Sequence, residues 1–298
     1  MDQAPRPLKR TRIVCISDTH NQTPKLPKGD VLIHAGDLTN QGSFSELEKA
    51  VRWLEGTDFE KKIVIAGNHD TTLDANFYRE NGAYFHKNHP QDTEACLKLV
   101  KDSPSITYLN HESATVRLTH PSGPHTAFKV FGSPYSPAHG LWAFGYTADQ
   151  ASSIWSDIPF DTDVVVTHTP PRGHCDTASP GSLGGCEALR RALWRVRPKL
   201  AVCGHKHPGR DVERVKWRLD SKNPSLKYME DETKAWDDPG AGMGNKKESK
   251  VDALMGRMGR KETCIVNASY QATSYGAHKR FNKPIVVDID LPVWQGEG

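Results

Sequence analysis

The stretch RIVCISDTH, residues 12–20, decides how this chain is read. Its apolar run over Ile13, Val14, Cys15 and Ile16 is continuous rather than alternating, the pattern of a strand buried on both faces. The run stops at Asp18-Thr19-His20, where two metal-ligating side-chain types stand two residues apart. Four further segments repeat the arrangement: DVLIHA (30–35) precedes Gly36-Asp37, KKIVIA (61–66) precedes Gly67-Asn68-His69-Asp70, DVVV (163–166) precedes Thr167-His168, and KLAVC (199–203) precedes Gly204-His205-Lys206-His207. Buried strands that each end in such a block gather polar groups along one edge of a sheet.

Taken singly, a strand-end Asp or His serves as a cap, a turn residue or a satisfied polar group. Five blocks in series, each after an apolar run, point instead to a metal centre. Two divalent ions roughly 3.5–4 Å apart repel one another, so a site holding both needs carboxylates, which Asp18 and Asp37 supply. A mixed set of imidazole, carboxylate and amide donors suits Mn, Fe, Zn or Co, whereas a pure Mg or Ca cage does not fit. Asp18 and His20 are two residues apart, as are His205 and His207, so in extended backbone each pair is expected to share a face. Gly36, Gly67 and Gly204 each precede a candidate ligand, where the backbone must come close to the ions.

These blocks resemble the pattern of the calcineurin-like metallophosphoesterases: DxH, GD, GNH(D/E), a strand-end His and GHxH, all present and in that order. VNAS at Val266–Ser269 and KPIVVDIDLP from Lys283 resemble the metallophosphoesterase-domain subgroup, similar to class III phosphodiesterases. The resemblance implies a four-layer αββα sandwich, two mixed β-sheets flanked by helices. It implies that Asp18, His20, Asp37 and His207 hold a first metal, that Asp37 bridges to a second, and that Asn68, His168 and His205 complete the ligands of that second ion. It implies that His69 protonates the leaving group while Asp70 orients its ring. The expected reaction is hydrolysis of a phosphate ester by a hydroxide bridging two divalent cations, since coordination lowers the pKa of water to about 7 in the best zinc case.

The substrate class is read from a departure. Protein Ser/Thr phosphatases of this superfamily carry GDxVDRG, whereas here Gly36-Asp37 runs on to Leu38, Thr39, Asn40 and Gln41, so Gln41 stands in place of the arginine. A neutral side chain there removes one clamp for a dianionic monoester and favours a monoanionic diester. A phosphodiesterase of small substrates such as cyclic nucleotides is expected, with a phosphomonoesterase or protein phosphatase as one alternative and a catalytically weak metal-binding scaffold as another. Asn68, Tyr135 and Arg172 are candidate substrate contacts. Tyr135 belongs to the segment Gly132–Pro137, which with Trp142 and Phe144 is a candidate aromatic rim. Arg172, His174 and Asp176 follow the His168 loop, and His34 reads as a packed histidine rather than a ligand.

Composition agrees with a globular enzyme. Over 298 residues a net charge of +3 is too small to argue for capture of a long nucleic acid. Cys15, Cys96, Cys175, Cys186, Cys203 and Cys264 form no CxxC pair and read as reduced thiols. The start MDQAPRPLKRTR lacks an apolar leader and no stretch approaches the ~20 apolar residues of a membrane span, so a cytoplasmic protein with no membrane partner is expected. Asn267-Ala268-Ser269 matches a glycosylation sequon but has no secretory signal to go with it. A small phosphate ester is the expected partner, and nothing in the motifs fixes an oligomeric state.

Strands are predicted near 12–17, 30–35, 61–66, 105–109, 114–119, 127–131, 163–167, 199–203, 263–267 and 284–289. Ser43 and Glu46 form a capping box ahead of Phe44, Leu47, Val51 and Leu54 at helical spacing, and Leu189, Ala192, Leu193 and Val196 mark a second helix. One catalytic domain is expected over 1–298. It is interrupted at about 208–262 by a charged, glycine-rich insertion that reads as a surface excursion beside the metals, with Leu254, Met255 and Met258 as an anchoring turn.

Overall fold

A computed structural model describes residues 7–218, 229–236, 249–251, 261–272 and 280–294. The first half of the chain runs β1 (Leu8–Ile16), β2 (Val31–Ala35), α1 (Phe44–Glu55), β3 (Lys61–Ile65), α2 (Ala75–His86), α3 (Thr93–Lys101), β4 (Ile106–Tyr108), β5 (Glu112–Arg117) and β6 (Ala127–Ser133). A two-strand ribbon, β7 (Ser136–Pro137) and β8 (Gly145–Tyr146), leads to α4 (Ala151–Ser156) and β9 (Val164–Thr167). There follow β10 (Thr177–Ser179), β11 (Ser182–Leu183), α5 (Glu187–Val196), β12 (Leu200–Cys203), β13 (Asp211–Trp217), β14 (Glu230–Ala235), β15 (Ser249–Val251), β16 (Glu262–Asn267) and β17 (Ile285–Pro292).

Two mixed sheets result. One has the order β15-β17-β1-β2-β3-β4, and the other β14-β13-β16-β12-β9-β6-β5. Strands β1 through β4 pair in parallel and β1 meets β17 antiparallel, while β6, β9, β12 and β16 form the parallel centre of the second sheet. The continuous apolar runs now have their cause. Ile13 and Cys15 face the other sheet together with Ile33, Val166 and Val202, whereas Val14 and Ile16 face Leu47, Leu54, Cys96 and Val100 of α1 and α3. On the far side Val165, Ala201 and Ile265 pack against Trp155, Leu189 and Leu193 of α4 and α5. These three apolar interfaces make the four layers αββα, as the resemblance implied.

Local rules explain the helices that were legible. Ser43 accepts from the Glu46 backbone and the Glu46 carboxylate reaches back to the Ser43 N–H, completing the capping box. The described parts of the stretch 208–262 are largely strand. Val212, Val215 and Trp217 of β13 are buried while Arg214 and Lys216 stay outside, and β13 pairs with both β16 and β14. Charge on the outward face hid that alternation. Leu254, Met255 and Met258 lie outside the described residues.

Candidate metal centre

The ligand-type residues follow β1, β2 and β3 of one sheet and β9 and β12 of the other, so facing sheets deliver them to one place. Their convergence is not the strand alternation expected from spacing. Asp18 has φ 52°, His20 44°, Asp37 54° and His205 66°, all left-handed, so each chain turns sharply on leaving its strand. Such backbone is strained for a residue with a Cβ and is found where a site holds it in place. Here it is held by Asp18 N–H donating to Gly36 O at 2.9 Å and His20 N–H to Asp37 O at 3.1 Å. Gly67 and Gly204 are required by close approach: a Cβ at Gly67 would collide with Asp37 Oδ1, and one at Gly204 with Ser17 and Asp18.

Two donor sets stand side by side. In the first, His207 Nε2 lies 3.4 Å from both Asp18 Oδ1 and His20 Nε2. In the second, His168 Nε2 lies 3.4 Å from Asp37 Oδ1 and 3.0 Å from Asn68 Oδ1, which is itself 2.8 Å from His205 Nδ1. Asp37 links the sets, its Oδ2 being 3.7 Å from His20 Nε2. The other ring nitrogens are committed to backbone: His168 Nδ1 donates to Ala35 O at 2.9 Å and His20 Nδ1 to Thr39 O at 3.2 Å. A carbonyl only accepts, so in both rings Nε2 is the lone-pair nitrogen of the neutral form.

The electrostatics favour positive charge beside two buried carboxylates. Asp18 and Asp37 are both fully buried. Burial pushes each carboxyl up, yet His207 beside Asp18, and His168 and His69 beside Asp37, hold both well below the usual carboxylate range. Burial likewise opposes a charged His168, but Asp37 outweighs it and lifts that imidazole to about 9. His207 is also raised, burial again being overcome by Asp18. Burial, only partly offset by Asp37, holds His20 down to about 4, and burial and the neighbouring His168 lower His205 as well. Protons on two imidazoles thus compensate two buried anions. Divalent cations would do the same with these oxygen and nitrogen donors, and the residues present therefore fit the metals the resemblance implies.

Around the donors sit residues whose roles were not legible. The Ser269 hydroxyl lies 2.8 Å from Asp18 Oδ2 and 2.7 Å from Asn267 Oδ1, both acceptors, so its single proton bridges them. The His205 N–H adds bonds of 3.0 and 3.1 Å to the Asp18 carboxylate. The sequon is accordingly interior, since Asn267 and Ser269 are fully buried and Asn267 Nδ2 donates to Cys175 O and Lys206 O. VNAS was visible as a resemblance, without a sign that its serine reaches Asp18.

His69 lines the cleft over the donors, with Nδ1 donating to Asn40 O at 2.8 Å and its ring centroid 3.9 Å from that of Trp142 at a 33° tilt. The expectation that Asp70 orients this ring is not met. The Asp70 carboxylate instead accepts from Gly67 N (2.8 Å), Leu38 N (3.2 Å), Thr39 N (2.9 Å) and Thr39 Oγ1 (2.7 Å), clamping the β2 and β3 end loops together. Burial and the nearby Asp37 push its carboxyl up to about 6.

Two expected substrate contacts lie elsewhere. Tyr135 packs against His111 and Phe144, and Phe144 is itself buried, so of the rim's aromatic rings Trp142 alone borders the metal cleft, beside Ser136 and Pro137. Arg172 lines a separate cleft. Asn68, the third, stays with the donors. His174 is buried between Glu213 and Glu230, Asp176 accepts from Gly185 N, and His34 pairs with Thr19, all outside the donor sets.

An αββα sandwich that carries adjoining donor sets on its strand ends is the architecture of the metallophosphoesterases. The family model of the calcineurin-like phosphoesterases matches residues 11–209, and the chain belongs to that family. Metallophosphoesterase domain-containing protein 1 of Homo sapiens is 38% identical over 221 residues, covering 70% of this chain and 64% of that protein. UPF0046 protein K07C11.7 of Caenorhabditis elegans is 34% identical over 202 residues, covering 66% and 63%. A protein of Emericella nidulans named probable rhamnogalacturonate lyase C is 46% identical over 210 residues, which are 70% of this chain but 18% of that protein. The chain thus spans less than two thirds of the length of these curated relatives. Among the described residues no helix is long and apolar enough to cross a membrane.

Proposed function

We propose that the chain is a phosphodiesterase of small substrates, cyclic nucleotides among them, that works with two divalent cations drawn from Mn, Fe, Zn and Co. The observation that carries this reading is the lining of the cleft over the donors. This cleft, of about 300 Å³, is bordered by Asn40, His69, His139, Trp142 and the donors His20, His205 and His207, and by no lysine or arginine among the described residues. A dianionic monoester loses most of its hydration on entering and gains no guanidinium in return, whereas a diester brings a single charge.

His20, Asp18 and His207 would hold one cation and Asn68, His168 and His205 the other, with Asp37 between them. Bound there, the cations supply Lewis acidity and activation of water near neutral pH. The protein's own part is positioning and proton delivery. Because Nδ1 of His69 is committed to Asn40 O, a protonated His69 presents its second proton on Nε2, towards the cleft, for the departing alkoxide. Trp142 packs beside the His69 ring, with centroids 3.9 Å apart, and limits how far the ring can swing out of the cleft. Six free, buried cysteines support residence in a reducing compartment such as the cytoplasm.

The test compares turnover of bis(p-nitrophenyl) phosphate with that of p-nitrophenyl phosphate by the Mn-loaded protein. Preference for the diester is expected. A strong preference for the monoester would establish the phosphomonoesterase instead, and metal uptake without turnover of either would favour the binding scaffold.

A further inference from the structure

The ribbon of β7 and β8 is a partition. On one side lies the metal cleft; on the other a second cleft of about 860 Å³ opens against α4 and α5, and Pro137 and Ala138 border both. The two differ in charge. Arg172 and Arg191 face the second cleft, above an apolar wall that includes Tyr146, Ala151 and Ala188. The Glu187 carboxylate, also on this cleft, is neutralised by its ion pair with Arg191. Arg172 makes one long hydrogen bond, 3.4 Å to the Leu183 carbonyl, and no ion pair with a carboxylate among the described residues. The first turn of α5, capped by Cys186 accepting from Leu189 N, adds its amide dipoles to the same side.

We propose that this second cleft holds the distal arm of the substrate and selects arms that bear a second phosphate. The inference rests on the phosphodiesterase reading of the neighbouring site. A molecule lying across the Pro137–Ala138 ridge would place its singly charged diester over the donors, where no basic side chain waits, and its second anion at Arg172. Apolar surface between the two accommodates a nucleoside or similar body. The preferred substrate is then a nucleotide with two separated phosphates rather than a simple diester, because a guanidinium rewards a phosphate with paired, charge-assisted hydrogen bonds.

Two measurements on the Mn-loaded full chain test this. Calorimetric titration compares thymidine 5′-monophosphate with thymidine 3′,5′-bisphosphate, and turnover compares the 5′-p-nitrophenyl ester of thymidine 5′-monophosphate with its 3′-phosphorylated counterpart. The second phosphate is expected to improve both affinity and kcat/KM by about tenfold, the effect of one hydrogen-bonded charged contact. Arg172→Gln combined with Arg191→Gln is expected to bring both ratios towards one. Ser152→Glu, which sets a carboxylate on the exposed side of the same cleft and leaves the arginines in place, is expected to lower them too. A ratio near one in the unaltered protein, or a tenfold ratio that survives both variants, overturns the proposal. If neither ester is turned over but the binding ratio holds, the diesterase reading falls and this assignment stands.

Discussion

The carbonyl oxygen of Asn40 lies 2.8 Å from Nδ1 of His69 and makes that nitrogen the protonated one, so the free edge of the ring faces the cleft. The same ring is close enough to His20 and Asp37 that the three could share an ion, which gives His69 two possible duties, proton donor or ligand. They separate cleanly. His69→Ala is expected to retain the full metal complement by elemental analysis and to lose a factor of roughly 10²–10⁴ in turnover of bis(p-nitrophenyl) phosphate. Loss of a metal equivalent would make it a ligand.

Much of this was legible beforehand because apolar runs and metal-ligating side chains are chemically distinctive. All ten strands expected from the sequence are present, and Asp18, His20, Asp37, Asn68, His168, His205 and His207 do meet. What escaped depends on tertiary approach. Ser269 and Asn40 are ordinary polar residues whose partners lie 251 and 29 positions away, and nothing in their local sequence marks them. Asp70 misled for a different reason: the resemblance implied that it orients the His69 ring, but the turn after Gly67 sends its carboxylate back towards Thr39. Tyr135 and Arg172 were read from loop position, which does not say on which side of the β7–β8 ribbon a side chain falls.

Proton release is expected on metal loading. Without metal, His168 holds its proton up to about pH 9, because Asp37 outweighs the burial that opposes the charge. A metal takes only the neutral imidazole, so loading below that pH must expel the proton. Apparent metal affinity should therefore climb as pH rises and level off near 9, and at least one proton should appear in a weakly buffered titration at pH 7.5. The metal-free fold carries the matching linkage. A histidine whose folded pKa exceeds its unfolded value of 6.5 lends stability that is complete below 6.5 and lost as pH rises through about 9. The Tm of the metal-free protein is expected to fall across that window, and that of the loaded protein to change less. A flat affinity profile between pH 6 and 9 would contradict both.

Ser269→Ala removes the hydroxyl that bridges Asp18 and Asn267 while leaving the His205 N–H on the carboxylate. Groups that orient a ligand in this way are typically worth about 10–100-fold in metal affinity. The variant is expected to bind metal that much more weakly, with turnover recovering at saturating metal. If affinity is unchanged, the backbone amide alone sets Asp18.

Asp70→Asn discriminates between bracing the loops and orienting the His69 ring. As a brace, the carboxylate takes donors from three backbone amides and the Thr39 hydroxyl, and an amide in its place must turn one N–H₂ group against those donors. The loss of buried acceptors is expected to cost about 1–3 kcal/mol of stability, read as a lower midpoint in denaturant. Because Gly67 and Thr39 flank the turns that deliver Asn68 and Asp37, metal affinity is expected to fall with it. A ring-orienting role makes a different pattern, in which stability and metal content are kept and only turnover and its pH profile change. Comparison with His69→Ala, where metal content is kept, decides between the two with the same pair of measurements.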